Sequence, residues 1–183
     1  MLEPVPEASL TDSPAGRVPE GEGWFIVNVA EGAGSESDRY GRKCRFSPGG
    51  SFPEFAINVR ILQPGQPNGL YHRENAQETF LVLSGECIAV VEEQERTMRT
   101  GDFLYAPPGT AHIIVGAGEG PCAVLMAGTR KGRDDLLYPV SEVAARHGAS
   151  AARETSDVDE AYAGNVVRER PLGRIPWAPG AGH

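Results

Sequence analysis

The chain reads as an all-β protein, a small sandwich or barrel with short helical segments and extended tails toward its C-terminus. About eight short apolar or alternating runs lie between residues 24 and 127, separated by Gly- and Pro-rich breaks at intervals of roughly eight to twelve residues. Helical character enters only after Thr129. A length of 183 residues suits one domain plus tails, long enough to bury a core without disulfides.

Residues 1–20 carry Pro4, Pro6, Pro14 and Pro19 with almost no apolar periodicity, and a flexible or draped N-terminal arm is expected there. Trp24 to Val29 is apolar enough for a first strand. Pro48-Gly-Gly reads as a turn. From Glu54 to Leu62 the pattern alternates, with Phe55, Ile57, Val59 and Ile61 on one face and Ala56, Asn58 and Arg60 on the other, as in a half-buried strand. Thr79–Leu83 and Glu86–Val91 flank Ser84-Gly85, which reads as a turn between paired strands. Glu92 to Glu95 is a polar tip, and Arg96–Arg99 returns from it. Phe103–Ala106, Ala111–Val115 and Cys122–Ala127 complete the set, which places the barrel at 21–130. In 131–183, Ser141 and Gly148 can cap and end a short helix, and Asp157–Ala163 suits another turn or two. The end is extended and proline-restricted, and Trp177 carries enough apolar area to require a docking surface.

The net charge of −8 and pI near 5.0 argue against a nucleic-acid partner, since phosphate binding needs clustered Lys and Arg. No basic amphipathic stretch or spanning apolar run suggests a membrane. The first residues lack a positive start and an apolar block, so no secretory signal is expected. Cys44, Cys87 and Cys122 are odd in number and widely spaced, which fits free thiols in a reducing cytoplasm, with Cys87 and Cys122 as small core residues.

Two glycine-framed segments carry the chemistry. The first, Gly65 to Gly85, holds His72, Glu74 and Glu78; the second, Gly101 to His112, holds Pro107 and Gly109 before its histidine. His72 and Glu74 share a side of an extended segment, and Glu78 opens the next strand. Pro107-Pro108-Gly109 is a rigid turn that launches His112 on a fixed path. Two imidazoles and two carboxylates suit a divalent metal with water or substrate completing its shell. A closed structural zinc site is disfavoured, because no Cys is placed for it. The bland reading of each His alone is a polar residue at a strand end; the two segments together favour a metal. His147 suits a helix end, and His183, the last residue, is uninformative.

These segments resemble the two-motif signature of the cupin superfamily, G-x5-H-x-H-x3,4-E-x6-G and G-x5-P-x-G-x2-H-x3-N. Six residues separate Glu78 from Gly85, five separate Gly101 from Pro107, and fifteen separate the two glycines. Gly101, Pro107, Gly109 and His112 fall in place, and Gly116 stands where the family has Asn. The first motif fits in two registers. One places the family's histidines on His72 and Glu74; the other places them on Tyr71 and Arg73, of which Arg73 cannot ligate a metal. The resemblance implies a double-stranded β-helix, a jelly-roll-like barrel whose mouth often holds iron, manganese, nickel or zinc. In the first register the ligands would be His72, Glu74, Glu78 and His112. Tyr71 and Tyr105 would offer donors near the mouth, and Phe80, Val82 and Ile114 would wall it or simply pack the core. The superfamily includes dioxygenases, decarboxylases, isomerases and non-catalytic binders, so a metal-dependent oxygenase or related enzyme, a sensing module and a metal-free barrel all stay open. A small-molecule ligand or substrate and a homodimer are the partners the resemblance implies.

Overall fold

A computed structural model of the chain describes residues 4–47, 52–130 and 135–176. The turn expected at Pro48-Gly-Gly, the docking of Trp177 and the terminal His183 lie outside the described residues. Twelve strands and two short helices follow in order: β1 Ser9–Ser13, β2 Gly16–Glu20, β3 Gly34–Ser37, β4 Gly41–Arg45, β5 Phe55–Leu62, β6 Glu78–Ser84, β7 Glu86–Val91, β8 Gln94–Arg99, β9 Phe103–Ala106, β10 His112–Ala117, β11 Cys122–Thr129, α1 Glu142–Ala145, α2 Val158–Ala161 and β12 Arg168–Glu169.

Every strand pair is antiparallel. A wide sheet runs β12-β3-β4-β5-β11-β6-β9, and a narrow one runs β10-β7-β8. Alternation sends one face of each sheet inward. There Leu62, Phe80, Val82, Cys87, Ala89, Met98, Ile114, Cys122, Val124 and Met126 form the core. A second layer covers the outer face of the wide sheet, where Leu172 and Ile175 of the C-terminal segment pack on Cys44, Val59 and Ile61. All three cysteines are free and buried.

Three sequence expectations are corrected. Residues 9–20 are not an irregular arm: β1 and β2 pair from Ser9↔Glu20 to Ser13↔Gly16, and Arg17 bridges to Gly32. The run at Trp24–Val29 is not a strand. It makes one bridge, Glu7↔Trp24, and leaves Ile26 80% exposed, so apolar composition without a pairing partner built nothing there. Ser84-Gly85 does not join a hairpin either. β6 pairs with β11 and β9 while β7 pairs with β10 and β8, so the chain crosses between sheets at Gly85. Gly85 has φ 75°, and an added Cβ would lie 2.8 Å from the Pro121 carbonyl oxygen, so the crossing point admits only glycine. The Glu92–Glu95 tip and its return strand form as expected, with Glu92 and Glu93 both at positive φ. Ser141 caps α1 by accepting from the Ala144 amide, and Asp157 caps α2.

Candidate metal centre

His72 and His112 are brought together by backbone pairing. They form an isolated antiparallel bridge in which His72 N donates to His112 O (3.2 Å) and His112 N donates to His72 O (2.9 Å). Directly opposed residues project to the same face, and the two rings lie 5.1 Å apart. Glu78, first residue of β6, reaches the same point: its Oε2 is 2.9 Å from His112 Nε2 and 3.6 Å from His72 Nε2. The register places Glu78 opposite Gly128, where a Cβ would come within 3.1 Å of the Glu78 Cγ, so the missing side chain makes room for the carboxylate.

Both imidazoles are held by their other nitrogen. His72 Nδ1 lies 2.8 Å from the Leu70 carbonyl oxygen and His112 Nδ1 2.9 Å from that of Thr110. A carbonyl only accepts, so each Nδ1 carries a hydrogen and, in the neutral ring, each Nε2 presents a lone pair. This is the outer-shell arrangement that fixes the tautomer of metal-binding histidines. The edge of Phe80 packs on the His112 ring at 5.1 Å.

Charge in the trio is balanced by proximity. Burial disfavours the Glu78 anion, but the close approach of the His112 and His72 ring nitrogens outweighs it and holds the carboxyl below the usual carboxylate range. Burial likewise disfavours the His72 imidazolium; the Glu78 carboxylate, the Leu70 carbonyl and the Glu74 charge outweigh it, and the His72 pKa is raised. Even so, the short contact between His112 Nε2 and Glu78 Oε2 lacks hydrogen-bond alignment, and both atoms are buried without a hydrogen-bond partner. Orphaned buried polar atoms are rare. A cation between them would satisfy both, and the donors of His72, Glu78 and His112 all lie within 4.8 Å of one another. Two neutral imidazoles and one carboxylate form a donor set that iron, manganese, zinc and nickel accept, so the residues fit a metal.

Glu74 is placed differently from the fourth-ligand expectation. It is 3% exposed and lines the same cavity, but stands outside the compact trio. Tyr71, the first candidate of the other register, stands outside the trio. Tyr71 turns into the layer of Ile113, Val115 and Ala149, where its hydroxyl accepts from the Glu93 amide, and Arg73 exchanges backbone hydrogen bonds with Leu137. Tyr105 is half-exposed away from the cavity; Val82 and Ile114 are core, and only Phe80 of the expected walls lines the site. His147 meets Glu95 at 2.9 Å on the surface, remote from the trio.

The trio opens into a cavity of about 270 Å³. Its far wall carries residues that sequence reading passed over: Lys43 and Arg45 from β4, Asn58 and Arg60 from β5, and Arg130. Lys43 pairs with Arg60 and Arg45 with Asn58 across the two strands, so all four share the inner face. The alternating Arg42-Lys43-Cys44-Arg45 pattern was the available signal. Tyr162, just after α2, closes one side; its hydroxyl accepts from the Leu70 amide, and its ring stands edge-on to Tyr138, which in turn leans on His72.

Comparison with known proteins fits this architecture. The chain matches no curated protein. A candidate sugar phosphate isomerase from Acidithiobacillus ferrooxidans is 27% identical, with TM-score 0.42 over 46% of this chain and 54% of that one, so the chain spans about half of that protein. A sugar phosphate isomerase of the cupin superfamily from Silicibacter pomeroyi is 22% identical, with TM-score 0.52 over 61% of this chain and 85% of that one. A cupin 2 domain-containing protein from Halorhodospira halophila is 20% identical, with TM-score 0.47 over 59% and 75%. At its identity the Silicibacter pomeroyi likeness is one of fold. Residues 58–128 match the family model described as Cupin domain, and β5 to β11, which span them, fold as two facing antiparallel sheets, so this part of the chain is a cupin domain.

Proposed function

We propose that the chain holds a divalent transition metal (iron, manganese, zinc or nickel) on Nε2 of His72, Nε2 of His112 and a carboxylate oxygen of Glu78, and acts as a metal-dependent enzyme on a small molecule in the adjoining cavity. The convergence of three donors, with both rings clamped through Nδ1, carries this reading. Such a metal supplies Lewis-acid polarisation of an oxygen-bearing substrate and, where it is iron, access to dioxygen chemistry. The chain's own residues do the positioning. The Leu70 and Thr110 carbonyls keep the rings aimed, Glu78 keeps its negative charge, and Phe80 shields one side of His112. Glu74 enters as a carboxylate beside the trio, raising the basicity of His72, rather than as a fourth ligand.

Elemental analysis of protein purified without a metal-affinity tag tests the reading. Stoichiometric metal in the wild type, lost in both His72→Ala and His112→Ala, is the expected outcome. Loss in His112→Ala alone would remove His72 from the site, and a wild type that stays empty after incubation with each metal would end the proposal. Oxygen-electrode assays with catechols and diketones then separate an oxygenase from an enzyme using Lewis-acid chemistry only. A reducing cytoplasmic setting and a homodimer belong to the same reading. The three free thiols support the first, and exposed Phe103 and Tyr105 on the edge strand β9 support the second.

A further inference from the structure

We propose that the wall of the cavity opposite the trio is a binding site for the oxyanion group, phosphoryl or carboxylate, of a small hydroxylated substrate, with Lys43, Arg45 and Arg60 as its recognition residues. The inference deepens the proposed function and rests on it only in assigning the bound molecule as substrate. The first ground is charge. A chain of net charge −8 lines one cavity with four basic residues, Lys43, Arg45, Arg60 and Arg130, against two acids, Glu74 and Glu78, so basic groups outnumber acidic ones before any metal is added. Glu78 is already engaged by the histidines.

The second ground is what these cations lack. Lys43, Arg45 and Arg60 make no ion pair with an acid among the described residues, whereas Arg17, Arg153, Arg168 and Arg170 on the exterior all do. Arg60 donates from one terminal nitrogen to the Tyr40 carbonyl, at 3.3 Å, while its Nε is buried without a partner. A guanidinium carries five donors in a fixed fork, and leaving one dry and unused is costly unless a ligand completes it. The amide oxygen of Asn58, two residues along the same face, is also buried and unpartnered, which suits a substrate hydroxyl. The third ground is crowding. Burial first, then repulsion from Arg60 and Arg45, presses the Lys43 pKa down to about 7. An anion seated among the three would relieve that repulsion.

Isothermal titration calorimetry of the full chain with inorganic phosphate and with succinate, in chelator-treated and metal-loaded forms, tests the site. At least one of the two anions is expected to bind the metal-free protein, and the tighter one assigns the group as phosphoryl or carboxylate. Arg45→Met and Lys43→Met are each expected to weaken that binding by about tenfold or more, the effect of losing one charge-assisted hydrogen bond, with metal content unchanged. Arg45 lies at the exposed end of β4, so its replacement leaves the fold intact. His112→Ala is expected to lose metal and keep the anion. Binding that appears only with metal, or that ignores both substitutions, would overturn the anion site while sparing the metal centre. Failure of both anions to bind would do the same. Retained anion binding in a wild type that never takes up metal would instead sink the metal reading alone.

Discussion

Lys43 is a charge held where its fold disfavours it, and the consequence is measurable. Its ammonium faces Arg45 along β4 and Arg60 across on β5, and burial compounds the repulsion. The unfolded chain keeps this proton up to about pH 10.5, whereas the folded chain releases it near 7. Between those values the unfolded state binds more protons, so this residue's contribution to stability improves as pH rises from 7 to 10.5, and its full penalty applies below 7. Lys43→Met is therefore expected to raise stability most at about pH 6, by on the order of 2–4 kcal/mol and with a higher melting temperature, the gain vanishing above about pH 10. Thermal melts across that range check it; a gain independent of pH would refute the account. The same residue shows where sequence reading stopped. Alternation in Glu54–Leu62 revealed one half-buried strand, but Gly41–Arg45 passed unread, and a period of two does not say which face a barrel encloses. Here Val59, Ile61 and Cys44 pack outward under the C-terminal segment, and Asn58, Arg60 and Lys43 turn in.

At the scale of elements, the second motif was legible because each of its parts has a mechanical role. Gly101 (φ 91°) and Gly109 (φ 83°) occupy backbone conformations that favour glycine, and the prolines set the approach to His112. Gly116, the departure from the family pattern, has its own explanation. A Cβ there would stand 2.2 Å from the Gln63 carbonyl oxygen, because the loop before the first motif presses on β10: Gly65 N donates to Gly116 O, and Gly116 N to Gln66 O. Gly116→Ala is expected to destabilise the fold by about 2–4 kcal/mol through overpacking against backbone, read as a lower denaturant midpoint. Gly128→Ala should act otherwise. Its Cβ would meet the Glu78 side chain at 3.1 Å and the Gln77 carbonyl oxygen at 3.2 Å, so we expect weakened metal affinity with a smaller loss of stability than in Gly116→Ala, separable by metal titration beside thermal melts. The crossing at Gly85 was not legible, since a two-residue turn between apolar runs has the same sequence appearance whether the strands pair or part.

For the whole molecule, the motifs marked the barrel from β5 to β11, whereas its completion lies outside the matched span. β3, β4 and β12 extend the wide sheet, and two of the three proposed anion-binding cations sit on β4. Among the described residues, no helix is long and apolar enough to cross a membrane. Edge strand β9 leaves Phe103 63% and Tyr105 51% exposed, a placement that invites pairing with a second copy. Light scattering is expected to give twice the chain mass, and Phe103→Lys to halve it; a monomeric wild type would remove the dimer from our reading.

β12 touches its neighbour across the greatest sequence distance in the sheet, Arg168 and Glu169 lying against Glu36 and Ser35, with Leu172 and Ile175 seated just beyond. A ribosome making this chain therefore leaves β3 as an open edge, and the Cys44–Ile61 surface uncovered, until the segment from Arg168 to Ile175 has been made. Nascent chains stalled before Arg168 should be the stickiest species along the route. Translation speed between Ile61 and Ile175 would then help set how much protein is recovered intact.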